Sequence, residues 1–190
     1  MKNLLRILFL ITTATSTIYA SSYKVDLEHS NVGFIVKYLK ISKVYGNFTK
    51  YDINLNYDKN KNIIHYLDAV IKVNSVDTQH AKRDKHLKSE EFFDIKNFEY
   101  ITFKMTKFEN DGPSQGTIYG NLTIKGVTKP IRLDFEYNGH AKEKDNINKI
   151  GFSIKGNLLR THFKLGDKFP DNMISDKVEI RIDLQAIQIK

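Results

Sequence analysis

The chain contains no cysteine and no tryptophan, and only three prolines among its 190 residues. Without cysteine there can be no disulfide, no thiolate metal site and no thiol nucleophile, so the packed core alone must hold the fold. Reaction signatures are missing as well. There is no G-x-S-x-G, no Walker sequence and no dinucleotide fingerprint, because Gly116, Gly120 and Gly126 fall within strands and turns. No linker, low-complexity tract or internal repeat divides the sequence, which predicts one domain after the N-terminal segment.

A bilayer-spanning run is absent too. Leu4 to Ile11 is apolar, but Thr12, Thr13, Thr15, Ser16 and Thr17 interrupt it before the roughly 20 residues a membrane span requires. Lys2 and Arg6, that apolar run, and small or hydroxyl residues up to Ile18-Tyr19-Ala20 follow the order of a secretory signal peptide. Cleavage after Ala20 and a periplasmic or secreted product are therefore expected. No cysteine follows the apolar run, which excludes a lipoprotein.

Charge is present in excess of one sign. Thirty Lys and Arg against 22 Asp and Glu give a formal charge of +8, a balance that favours anionic surfaces such as lipid headgroups. Nucleic acid fits the charge, but export and the inward phase of the aromatic residues point away from it. The six histidines lack helical i, i+4 metal spacing with an intervening Glu, and His80 and His86 lie more than a turn apart, so no metal site is expected.

Alternation dominates what is there. Val32, Phe34, Val36 and Tyr38 share a face, as do Ile101, Phe103 and Met105; Ile131, Leu133, Phe135 and Tyr137; and Val178, Ile180, Ile182 and Leu184. Polar or charged residues occupy most of the positions between. Period two in this many segments predicts antiparallel strands with one buried and one wet face. Turns are expected at residues 58–62, at Asn110–Pro113 and at Asn138-Gly139, with residues 142–149 as a hairpin tip. Near the C-terminus the phase slips after Ala186, which predicts a bulge. About eight strands must close into a barrel or stack as two sheets to hide their edges.

One stretch departs from this pattern. In "RDKHLKSEEFFDI", Arg83 to Ile95, a short helix capped by Asp77 or Thr78 runs to Leu87, and Ser89, Glu90 and Glu91 open a second turn. Arg83, Asp84 and His86 could form an acid–base set. The simpler reading is a rim helix with an Asp84–Lys88 surface pair and with Leu87, Phe92 and Phe93 packed inward. Twelve Phe and ten Tyr can fill a small barrel completely or line a hollow one, and both readings stay open.

Four blocks resemble the YceI-like family of exported proteins. They are "DLEHSNVGFIVKYLKISKVYGNF" (Asp26–Phe48), "RDKHLKSEEFFDIKNFEYITFKM" (Arg83–Met105), "GNLTIKGVTKPIRLDFEYNG" (Gly120–Gly139) and "IGFSIKGNLLRTHFKLG" (Ile150–Gly166), in the family's order. The resemblance implies an all-β fold: an extended, lipocalin-like antiparallel barrel of about eight strands with a helical crossover near residues 78–95. The lipocalins proper are disfavoured, since their Gly-x-Trp signature needs tryptophan. The resemblance also implies a protein that binds a polyisoprenoid, an isoprenoid quinone or a similar long amphiphile in the lumen. With the signal peptide, the alternating strands and no catalytic set in the sequence, a non-enzymatic protein without cofactor is expected. Transient contact with a membrane surface and a homodimer are the further partners expected. Family positions present here include His29, Ser30, Gly46, Phe48, Arg83, Asp84, Leu87, Phe92, Phe93, Phe103, Gly120, Gly126, Arg160 and Phe163, most of them fold determinants. Tyr38 stands where the family commonly has His, Phe98 where it has Pro, and Lys164 where it has Gly; Tyr38 and Lys164 are expected to alter the headgroup end.

Inward phase then selects Phe34, Val36, Ile101, Phe103, Met105, Leu133, Phe135, Phe152, Ile154, Ile180 and Ile182 as the lumen lining. Arg83 and Tyr38 are the candidate headgroup contacts. The competing classes are an enzyme acting on an isoprenoid-like substrate through Asp84 and His86, and a filled barrel that works through its surface.

Overall fold

The computed structural model describes residues 21–144 and 147–189. The expected signal peptide, residues 1–20, and two positions of the expected hairpin tip lie outside the described residues.

Eleven strand segments follow in chain order: β1 (Ser21–Val25), β2 (Asn31–Tyr38), β3 (Ser42–Phe48), β4 (Tyr51–Asp58), β5 (Ile63–Lys72), β6 (Val76–Asp77), β7 (Tyr100–Asn110), β8 (Gln115–Ile124), β9 (Val127–Lys142), β10 (Asn148–Leu159) and β11 (Ile174–Gln188). They lie along eight paths. β1 continues into β2, β3 into β4 and β5 into β6, and each pair hydrogen-bonds to the same neighbouring path. Every pairing is antiparallel, and closure comes from the last path. β11 meets β2 through Ile182 opposite Val32 and β1 through Ala186 opposite Val25. The result is the expected eight-stranded barrel, which leaves no long unpaired edge.

The break between β1 and β2 has a local cause. Asp26 accepts from the Glu28 amide and opens a 3-10 turn at Leu27–His29. Ser30 then replaces part of the ladder: its Oγ accepts from the Gln185 amide (2.9 Å) and donates to the Gln185 carbonyl (3.2 Å).

Two expected features differ. Asn138-Gly139 is not a turn, because β9 runs through it. Gly151 faces Gly139 and Phe152 faces Tyr137, which leaves Asn138 as the extra residue of a bulge, with Gly139 at φ 124°. The bulge expected after Ala186 is absent. β11 keeps one register against β10 from Lys177 to Ile187, and Ala186, fully buried, continues the inward phase of Ile182 and Leu184. Ile187 and Ile189 simply sit on the outer phase beyond the core.

Candidate functional site

The barrel interior is filled at one end and hollow at the other. At the filled end Tyr57 meets Phe152 edge-on (5.1 Å between ring centroids), Phe152 lies 5.2 Å from Phe135, and Phe108 stands edge-on to Phe135 at 5.6 Å. Tyr137 closes the cluster against Tyr57 at 5.6 Å. Beyond it, a small polar cup of about 210 Å³ is lined by Tyr23, Tyr57, His140 and Lys149.

Toward the helical end the strands enclose a cavity of about 660 Å³, inside the 300–1,000 Å³ range typical of ligand sites. Its walls include Phe34 and Val36 on β2, Ile101 and Phe103 on β7, Leu133 on β9, Ile154 on β10, and Ile180 and Ile182 on β11, with Tyr38 and Arg83 also on its surface. Glycines shape the wall. A Cβ on Gly46 would come within 2.2 Å of the Phe34 ring, and one on Gly120 within 2.3 Å of Phe103. The two rings therefore fold across neighbouring strands at places only glycine permits.

Met105, Phe135 and Phe152 do not border the cavity. Phe135 and Phe152 point inward, as their phase requires, but their rings pack on one another and on Tyr57 and form the plug. Met105 keeps the inward phase of Phe103, opposite Gly120 just before the bulge at Thr106, and packs against the core without bordering the cavity. Other lining residues were not selected from sequence: Leu67 and Ile71 on β5, Leu122 on β8, and Phe169 and Met173 in the segment before β11. In β5 the run "IIHYLDAVIK" still carries period two in Leu67, Ala69 and Ile71. The segment before β11 carries no periodic signal.

The helical end is built by residues 78–98. The α-helix, α1 (Ala81–Leu87), is capped by His80, whose ring accepts from the Arg83 amide, rather than by Asp77 or Thr78. Asp84 does not pair with Lys88 by side chain; it accepts from the Thr78 amide (2.9 Å) and the Thr78 hydroxyl (2.5 Å). Arg83 donates from Nε to Thr78 Oγ1 and from Nη2 to the Thr78 carbonyl, both at 2.7 Å. Two of its three guanidinium nitrogens are thus committed to the fold, and Nη1 remains for a ligand. His86 pairs with Glu91 at 2.6 Å and stands edge-on to Phe92 (5.0 Å) and Phe169 (5.8 Å). The His86 hydrogen bond holds the Glu91 carboxyl below its ordinary range. Asp84 and His86 therefore engage different partners and do not form a coupled acid–base pair.

Phe92 and Phe93 anchor this segment. Phe92 stacks on Phe169 (5.5 Å) and Phe93 meets Phe48 edge-on (5.9 Å); the Glu91 carbonyl accepts from the Gly166 amide. The facing loop is organised by Arg160, 3% exposed, which donates to the carbonyls of Leu165, Gly166, Phe169, Ile174 and Ser175. Lys164 lies in that loop at φ 56°, a conformation glycine adopts without strain. It does not itself line the cavity, and its place is that of a turn residue between the lining residues Arg160 and Leu165.

All the formally charged residues lining the cavity are basic. Lys37, Lys82, Arg83 and Arg160 contribute to its surface, with His80 and His86, and among the described residues no Asp or Glu does. Among the described residues no three His, Asp or Glu converge as metal ligands. The arrangement offers burial for a long apolar body and hydrogen-bond donors for a polar head.

A YceI-like domain model matches residues 23–186. The chain belongs to the YceI-like family. A UPF0312 protein of Yersinia pestis (strain Pestoides F) is 33% identical over 183 residues, covering 95% of this chain and 93% of that relative. The crystal structure of a Campylobacter jejuni YceI protein superposes with a TM-score of 0.77 at 38% identity, over 81% of this chain and 90% of that one. A polyisoprenoid binding domain from Saccharophagus degradans shares the fold at 15% identity, with a TM-score of 0.64 over 89% of this chain and 99% of that one. The left-handed backbone at Lys164 in this YceI-like chain gives a physical reason for the glycine that the resemblance leads one to expect there, and the five carbonyls that Arg160 gathers give one for the arginine at position 160.

Proposed function

We propose that the protein binds a long-chain, isoprenoid-like lipid in the barrel cavity and carries or sequesters it outside the cytoplasm, after removal of residues 1–20. The observation that carries this reading is the apolar 660 Å³ cavity whose charged lining residues are all basic. A water-sized group occupies about 30 Å³ of liquid, so the cavity admits on the order of 20 non-hydrogen atoms, or about four isoprene units. At about 0.8 kcal/mol per buried CH₂, such a chain contributes well over ~10 kcal/mol gross, which offsets association costs of about 4–15 kcal/mol. No charged chemistry is needed for strong binding. The head would meet Arg83 Nη1 and the Tyr38 hydroxyl at the mouth. The polyisoprenoid binding domain of Saccharophagus degradans, which has the same fold, supports the ligand class. The hollow interior speaks against the filled-barrel alternative, and the separate partners of Asp84 and His86 speak against the enzyme.

The test is mass spectrometry of solvent extracts from the exported protein and from Phe103→Glu. A stoichiometric prenyl lipid in wild type, absent from a variant that melts cooperatively, is the expected result. Equal lipid in both, or a wild-type protein that stays empty after incubation with prenyl alcohols and quinones, would sink the reading.

A further inference from the structure

Beside the cavity mouth, the β2–β3 hairpin ends in Tyr38-Leu39-Lys40-Ile41, closed by the Ile41 amide donating to the Tyr38 carbonyl. Leu39 and Lys40 both have positive φ (51° and 59°), so the turn has the two left-handed central residues for which Asn-Gly is the favoured pair. A leucine there is strained and stays about half exposed, at 46%, while Ile41 is 86% exposed. The tip leans on Met173, whose carbonyl accepts from the Leu39 amide, and Met173 and Tyr38 themselves line the cavity. The tip thus adjoins the cavity mouth through Tyr38 and Met173.

The tip itself and its flanking strand ends carry only basic charges, Lys37, Lys40 and Lys43. Lys37 and Lys43 face one another across the hairpin, an arrangement that repels. Neither has an ion-pair partner within 4.0 Å among the described residues. Among the described residues the ion pair of Lys40 is with Asp171, at 3.9 Å with both side chains exposed. Two bare aliphatic side chains ringed by lysines match the interface of an anionic bilayer: the apolar pair enters the acyl boundary while the lysines meet phosphate.

We propose that this hairpin tip docks the mouth of the barrel onto anionic lipid bilayers, so that a lipid passes between membrane and cavity without crossing water. The proposal rests on the lipid-binding reading, and the test separates the two. Flotation is measured with vesicles of phosphatidylglycerol and phosphatidylethanolamine and with vesicles of phosphatidylcholine alone. Binding of farnesol in solution is measured in parallel, since Leu39 and Ile41 do not line the cavity. Wild type should float with the anionic vesicles at least tenfold more than with the neutral ones. Leu39→Asn/Ile41→Thr should lose at least tenfold in flotation while keeping farnesol binding and an unchanged or higher melting temperature, because Asn suits the left-handed turn better than Leu. Lys40→Gln/Lys43→Gln should lose most of the preference for anionic vesicles. Docking is overturned if the tip variants float like wild type, or if they change only the sedimentation behaviour, which would make the tip a contact between two copies of the chain. Absence of farnesol binding in wild type would instead overturn the cavity reading and leave the flotation result to judge the tip.

Discussion

Tyr57 shows how one side chain can serve the cavity without touching its ligand end. It is 1% exposed, its ring is the centre of the aromatic plug, and its hydroxyl donates to Asn62 Oδ1 at 2.9 Å. Asn62 in turn donates to the carbonyls of Gly112 and Gln115, tying together the two turns at the closed end. Burial pushes the Tyr57 phenol far above its ordinary range, with Tyr137, Tyr23 and Asp58 adding to the shift, and burial raises Tyr23 and Tyr137 as well. A phenol raised in the folded state contributes stability that is complete below the unfolded value, about 10, and is lost as pH rises toward the folded value. Urea unfolding should therefore show stability falling above about pH 10. Tyr57→Phe should cost about 1 kcal/mol at pH 8 through the lost hydrogen bond, yet lose less than wild type between pH 8 and pH 11. An alkaline slope as steep in Tyr57→Phe as in wild type would assign the loss to other groups.

At the scale of elements, the strands and the crossover helix were legible for different reasons. Alternation located β2, β7, β9 and β11 because each presents one face to an apolar interior, and period two reports that directly. It could not tell a bulge from a turn at Asn138-Gly139, since both use the same residue types. Nor could it separate plug from wall: Phe135 and Leu133 have the same phase, and only ring size and cross-barrel neighbours decide that one fills and the other lines. The opening stretch of the helical crossover was legible as a rim element, but not its fastening, because Thr78 gives no sequence sign that it bonds both Asp84 and Arg83. That fastening is testable. Thr78→Val keeps the shape of a residue that is 4% exposed while removing a hydroxyl that donates to Asp84 and accepts from Arg83 Nε. A loss of about 1–3 kcal/mol should appear locally, as hydrogen exchange at least tenfold faster across residues 81–98 with β8 to β10 unchanged. Uniformly faster exchange through the barrel would mean that the helix is part of the global fold and not a separately opening latch.

For the molecule as a whole, the decisive property is that the barrel is longer than its cavity. The Tyr57, Phe135 and Phe152 plug stops the apolar space partway, with the small polar cup lying beyond it, so the protein should measure chain length from the plug to the mouth. Each isoprene unit added inside the cavity buries further apolar surface; units beyond about four, set by the 660 Å³ volume, would extend past the mouth and gain little. Affinity for a series of prenyl alcohols should therefore tighten from two units to four and then level off. Phe152→Ala removes the ring on which Tyr57 and Phe135 both pack, and should cost about 3–5 kcal/mol in stability. Because it lengthens the apolar space toward the cup, it should also move the levelling point to a longer chain. Calorimetric titration of both proteins reads the two effects together. Affinity that does not change between two and four units would show that the chain is not held in the cavity. A levelling point that stays in place in a folded Phe152→Ala protein would show that the plug is not what ends it.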